Sequence, residues 1–265
     1  MSLHSRWEHG SLVFYDGATR LMAIPNRRAL SRPEQVPNLA PLGLNYVADI
    51  REHFMRFYED EWVHIDTSGG AGEGFELTDE HGGVLLLTTA NQDEDETGLQ
   101  YASETVLLDE AEGNDTWFAA LFKVDDVAGS ELNIGLIDHG NDGKIGKHHT
   151  ADGGVGNGVY LHSPEGSAQL HGDVVKGGGP AQVEDLATLV DDTWIWAGFH
   201  FDASADTVQF SVSGVDVGEP FAVAADIPDD EELAVTFAVQ TNAAASRELS
   251  VHAYRLVTQV ADAAM

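Results

Sequence analysis

Residues 192–218 read DTWIWAGFHFDASADTVQFSVSGVDVG, and the spacing of their apolar side chains decides the fold. In Trp194–Phe201, Ile195, Ala197, Phe199 and Phe201 fall on one side, and Trp194, Trp196, Gly198 and His200 on the other. Alternation with period two marks a strand with one face against a core. Asp202–Asp206 is a polar connection of hairpin-loop length. Val208, Phe210 and Val212 then alternate with Gln209, Ser211 and Ser213 as the return strand. Ser213-Gly214-Val215-Asp216 makes a second tight reversal, with Gly214 free to take positive φ. The stretch is a β-meander.

Outward from it, short strands recur. They are expected at Trp62–Asp66, Gly74–Leu77, Val84–Thr89, Gly98–Ser103, Thr105–Leu108, Trp117–Val124, Leu132–Ile137, Val159–His162, Gln169–Val175, Leu233–Val239 and Leu249–Tyr254. Ile50–Tyr58 is ambiguous and reads as a helical turn. Many short strands with no long amphipathic helix predict an all-β, antiparallel two-sheet jelly-roll sandwich over residues 46–265.

Residues 1–45 differ. Ser11–Tyr15 reads as a strand closed by Asp16-Gly17. Beyond it come Pro25, Pro33, Pro37 and Pro41, with Arg20, Arg27, Arg28 and Arg32. Repeated proline blocks helix and central strand, so an extended N-terminal arm is expected, the most basic part of the chain. It reads either as a disordered leader or as an arm lying on an acidic neighbouring subunit.

The chain is acidic throughout: 45 Asp+Glu against 13 Lys+Arg, a formal net charge of −32. Such a surface repels phosphate, which argues against direct nucleic-acid binding. Dispersed acid with few lysines matches a protein adapted to high salt, where screening removes self-repulsion. No apolar run is long enough to span a membrane, and MSLHSRWEHG carries no apolar signal core. With no cysteine, disulfides and thiolate metal sites are excluded.

The meander also carries a resemblance. A Trp-bearing strand, an Asp-flanked loop, an alternating strand and the Gly-Val-Asp-Val-Gly turn at 214–218 resemble the late strands of concanavalin A-like lectin/glucanase (laminin-G-like) jelly rolls. SRWEHGSLVFYDGATR (5–20), WFAALFKVDD (117–126), NIGLID (133–138), GVYLHSPEG (158–166) and DDEELAVTFAVQ (229–240) resemble, in that order, a group of tailed-phage virion structural proteins. That resemblance implies a non-enzymatic capsid decoration or cement protein on the virion exterior, made in the host cytoplasm. Its partners would be the major capsid protein and copies of itself, a trimer being one arrangement, with the arm arginines pairing with acidic surfaces. A carbohydrate-binding adhesin of a fibre or tail is the alternative.

Glucanases of the superfamily carry carboxylates on one strand as Glu-x-Asp-x-(x)-Glu, so that alternate side chains face one cleft. The nearest stretch considered, Glu59-Asp60-Glu61, continues with Val63 and His64, and no catalytic residue is assigned. Trp194, Trp196 and His200 form a candidate glycan or partner contact, the tryptophans stacking on sugar rings or packing under an arm. The long glycine-rich stretch Asp138–Gly158 offers Asp138, Asn141 and Asp142 as hard-oxygen Ca²⁺ ligands, though Asn-Asp-Gly is also an ordinary turn. His139, His148, His149 and Asp152 are either a transition-metal set or solvated loop residues. No cofactor is otherwise implied.

Overall fold

The computed structural model describes residues 3–8, 11–16, 19–25, 47–52, 54, 61–66, 73–78, 83–102, 106–108, 114–138, 157–177, 179–222 and 226–259; for those up to 52, for 179–182, 184 and 259, only the backbone. They are almost entirely strands: β1 (Leu3–Glu8), β2 (Ser11–Asp16), β3 (Thr19–Pro25), β4 (Val47–Glu52), β5 (Trp62–Asp66), β6 (Gly74–Thr78), β7 (Val84–Thr88), β8 (Glu96–Tyr101), β9 (Val106–Leu107) and β10 (Thr116–Val124). The order continues with β11 (Ser130–Ile137), β12 (Gly158–Ser163), β13 (Gln169–Lys176), β14 (Gly179–Thr188), β15 (Ile195–Asp202), β16 (Thr207–Val212), β17 (Val215–Phe221), β18 (Glu232–Thr241) and β19 (Glu248–Gln259).

Two antiparallel sheets face each other. The first runs β17-β16-β15-β10-β19-β7-β6, with β4 also paired to β19; the second runs β14-β13-β12-β11-β18-β8-β5, with β9 on β18. The expected two-sheet sandwich is the fold. Phe118, Phe122, Phe199, Phe201 and Phe210 of the first sheet meet Leu132, Ile134, Leu136, Leu161 and Phe237 of the second in one buried cluster. Each such side chain contributes roughly 1.5–3 kcal/mol when fully removed from water.

The meander lies as expected. β15, β16 and β17 are antiparallel neighbours, and Ala197, Phe199 and Phe201 are fully buried. Val212 pairs with Val215 across Ser213-Gly214, whose φ of 48° and 77° make the tight reversal that glycine eases. β14 was not anticipated as a strand. It is an edge, with Pro180 in its run and exposed Asp185 and Thr188, so its alternation is weak.

The helical reading of Ile50–Tyr58 is corrected in its first part: Val47–Glu52 is a strand, with Ile50 opposite Leu256 of β19. Residues 55–60 lie outside the described set. Leu3–Glu8, Ser11–Asp16 and Thr19–Pro25, in the first part of the expected arm, pair in the antiparallel order β1-β2-β3, which includes the anticipated strand at Ser11. Arg20 lies on β3, its Cα opposite Tyr15, whereas Arg27, Arg28 and Arg32 fall outside the described residues.

Candidate functional site

The outer face of the second sheet breaks the usual sandwich pattern. On β11 the core takes Leu132, Ile134 and Leu136, so Glu131, Asn133, Gly135 and Ile137 face away. Register places Asn133 opposite His162 and Ala238, Gly135 opposite Tyr160, Tyr160 opposite Asp173, and His162 opposite His171. An outward face normally carries solvated side chains. Here Asn133, Tyr160, His162 and Asp173 are all buried, above a small apolar patch of Ile65, Ile137, Tyr160, Val175 and Ala238.

His162 is the centre of the array. Its Nδ1 stands 3.3 Å from Oδ2 of Asp173 and its Nε2 3.6 Å from Oε1 of Glu131. Burial alone would lower the imidazole pKa, but Asp173 and Glu131 outweigh it through hydrogen bonding and charge, and the net shift is upward. Burial, then the charges of Asp173 and Glu131, push the Tyr160 hydroxyl well above its ordinary value, so it stays a donor. Asp173 is wholly enclosed, and Glu131, with its side chain 14% exposed, is the array's opening to the surface. At the other end of β11, Gln100 Nε2 donates to the carbonyls of Ile137 (3.2 Å) and Asp138 (3.0 Å) and to Thr236 Oγ1 (2.9 Å).

This face also holds the nearest match to the glucanase strand pattern, which the earlier choice of Glu59–Glu61 missed. Glu131-x-Asn133-x-Gly135 has the alternate spacing, with an amide in place of the second acid and no side chain at the third position. A Cβ at 135 would lie 2.5 Å from both the Tyr160 Cα and the Val159 carbonyl oxygen, so no carboxylate fits there without moving β12. Leu136, the other spacing, points into the core. The signal was period-two spacing beginning at a lone glutamate; asparagine and glycine concealed it.

The residues singled out from sequence are dispersed. Trp194 is 37% exposed, with Lys123 Nζ 5.1 Å from its ring centroid and the His252 ring at 5.8 Å. Trp196 is half-buried opposite Leu121. His200 is buried and stacked parallel on Trp117 at 4.6 Å, 4.0 Å from Asp115. Asp138 immediately follows β11, its N–H donating to the Asn157 carbonyl at 2.9 Å. Asn141, Asp142, His139, His148, His149 and Asp152 lie outside the described residues.

No protein-family model matches the chain, and no curated protein matches it. Solved structures do. Peanut lectin is 14% identical over 82% of this chain and 99% of its own, with a TM-score of 0.56. An endo-1,3-β-glucanase from Streptomyces sioyaensis is 11% identical over 81% and 97%, at 0.55. A protein of unknown function from Shewanella oneidensis MR-1 is 14% identical over 84% and 92%, also at 0.55. The fold is therefore that of the concanavalin A-like lectin/glucanase jelly rolls. A lectin and an enzyme share it, so the fold by itself does not separate binding from catalysis.

Proposed function

We propose that this chain is a carbohydrate-recognition sandwich whose ligand meets the outer face of the second sheet at Glu131. The observation that carries the reading is the Glu131–His162–Asp173 array, whose two carboxylates bracket one imidazole on adjacent alternating strands. Carboxylate, amide and imidazole groups held rigidly by a sheet are suited to hydrogen-bond sugar hydroxyls. A net charge of −32 favours neutral glycans over sulfated or uronic ones. Binding without turnover is the expected behaviour, because Asn133 and Gly135 stand where the glucanase strand pattern places its further acids.

The test is calorimetric titration with neutral oligosaccharides chosen from a glycan array. Glu131→Gln should weaken binding about tenfold, the loss of one charge-assisted hydrogen bond, while the melting temperature stays close to wild type. Chromatography of the bound oligosaccharide should show its length unchanged. If no neutral glycan binds, or if Glu131→Gln binds as well as wild type, the reading fails.

The capsid-decoration role is a separate proposal that rests on the sequence reading of residues 5–20, 117–126, 133–138, 158–166 and 229–240 alone, since neither a family model nor a curated protein matches the chain. It predicts hundreds of copies per particle, bound through residues 1–45. Quantitative gels of particles carrying the full chain or a chain lacking that segment decide it: equal occupancy refutes the arm's role.

A further inference from the structure

Away from the His162 array, Asp66, Glu73 and Asp95 bring one carboxylate oxygen each to within 4.8 Å of one another. They come from three elements. Asp66 closes β5, the edge of the second sheet; Glu73 immediately precedes β6, the edge of the first; Asp95 precedes β8 in the connection that crosses from β7 to β8. The chain passes from β5 to β6 through residues 67–72, so the cluster sits where the two sheet edges approach.

Asp95 distinguishes this from a chance grouping of acids. It is 1% exposed, and only one of its oxygens is used, Oδ2 accepting from the Ala90 N–H. Among the described residues, Oδ1 is buried with no hydrogen-bond donor. The connection bearing it is held firmly. Thr89 N–H donates to the Arg247 carbonyl (3.0 Å), Glu94 N–H to the Thr241 carbonyl (2.9 Å), and Thr241 N–H to the Asp95 carbonyl (2.9 Å). Three carboxylates converge there, one of them buried and half-satisfied, and a cation among them would offset the cost of that burial.

We infer that Asp66, Glu73 and Asp95 bind a calcium ion that clips the open edges of the two sheets together. An all-oxygen, anionic donor set selects a hard divalent cation. Calcium takes such a set in flexible geometry at Ca–O distances of about 2.4 Å, whereas magnesium demands a near-ideal octahedron and gives up its waters reluctantly. The site is not the Asp138 region raised from the sequence. Asp95 lies at the Ser130 end of β11, since Thr241 pairs with both Ser130 and the Asp95 backbone, and Asp138 lies at the other end.

Calcium titration of the full chain by calorimetry, with thermal melts at constant ionic strength, tests this. Wild type should bind one ion saturably, and at about 100-fold the dissociation constant its melting temperature should rise by roughly 5–10 °C above that in matched sodium or magnesium. Asp95→Asn, which keeps an acceptor for Ala90, and Glu73→Gln should each weaken calcium binding at least tenfold and lose the shift. Asp216→Asn, on exposed β17, should keep both. Hydrogen exchange should show calcium protecting β5 and β6. A shift reproduced by sodium at equal ionic strength, or retained in Asp95→Asn and Glu73→Gln alike, overturns the site.

Discussion

A histidine between two carboxylates links folding to pH. His162 has a raised pKa in the folded state, so its charged form is favoured by folding. The stabilisation is complete below about pH 6.5, the value for a free imidazole, and is lost as pH rises through the higher folded value. His162→Gln should therefore be less stable than wild type at pH 5.5, with the gap narrowing above neutrality; chemical denaturation at both pH values measures it. A constant gap would mean that His162 contributes packing and not charge. Glycine matters at this scale too. A Cβ on Gly198 would collide with the Phe118 carbonyl and stand 2.6 Å from Ala119, both on the neighbouring β10. Gly198→Ala should cost about 2–3 kcal/mol, because backbone rather than a mobile side chain must yield.

The β15–β16 hairpin is stitched at its loop by one side chain. Asp202 Oδ1 accepts from the Ser204 N–H (2.9 Å), the Ser204 hydroxyl (2.6 Å) and the Ala205 N–H (3.2 Å). Burial raises the Asp202 carboxyl, but the Ser204 hydroxyl, the charge of His200 and the two amides outweigh it, and its pKa ends below the ordinary value. Its contribution is present above about pH 4 and disappears as pH falls through the folded value. Asp202→Ala should cost about 1 kcal/mol at neutral pH and little in strong acid, a difference that urea denaturation at several pH values resolves. The loop's length and polarity were evident from sequence, and so was the turn at Ser213-Gly214, because hairpin signals are local. Edge strand β14 was not, since a strand with one neighbour and exposed positions need not alternate.

Across the whole molecule, charge is the dominant variable. At −32 the folded chain repels itself, and screening relieves compact states more than expanded ones. The melting temperature should climb by roughly 5 °C or more between 0.1 and 1 M sodium chloride, as followed by scanning fluorimetry. A flat or falling curve would remove adaptation to high salt from consideration. Calcium stabilisation should persist on top of that rise, since it acts at one site and not through the general atmosphere.

Alternating apolar residues were enough to establish two facing sheets, because burial on one side of a strand leaves a period-two trace in any sequence. Composition was enough to establish the acidic surface. The pairings were another matter. Glu131, His162 and Asp173 stand on three different strands, and Asp66, Glu73 and Asp95 are brought together only by the closure of two sheet edges. Their spacing along the chain carries no period, so only the tertiary structure, by setting register and sheet order, could place those charges within reach of one another.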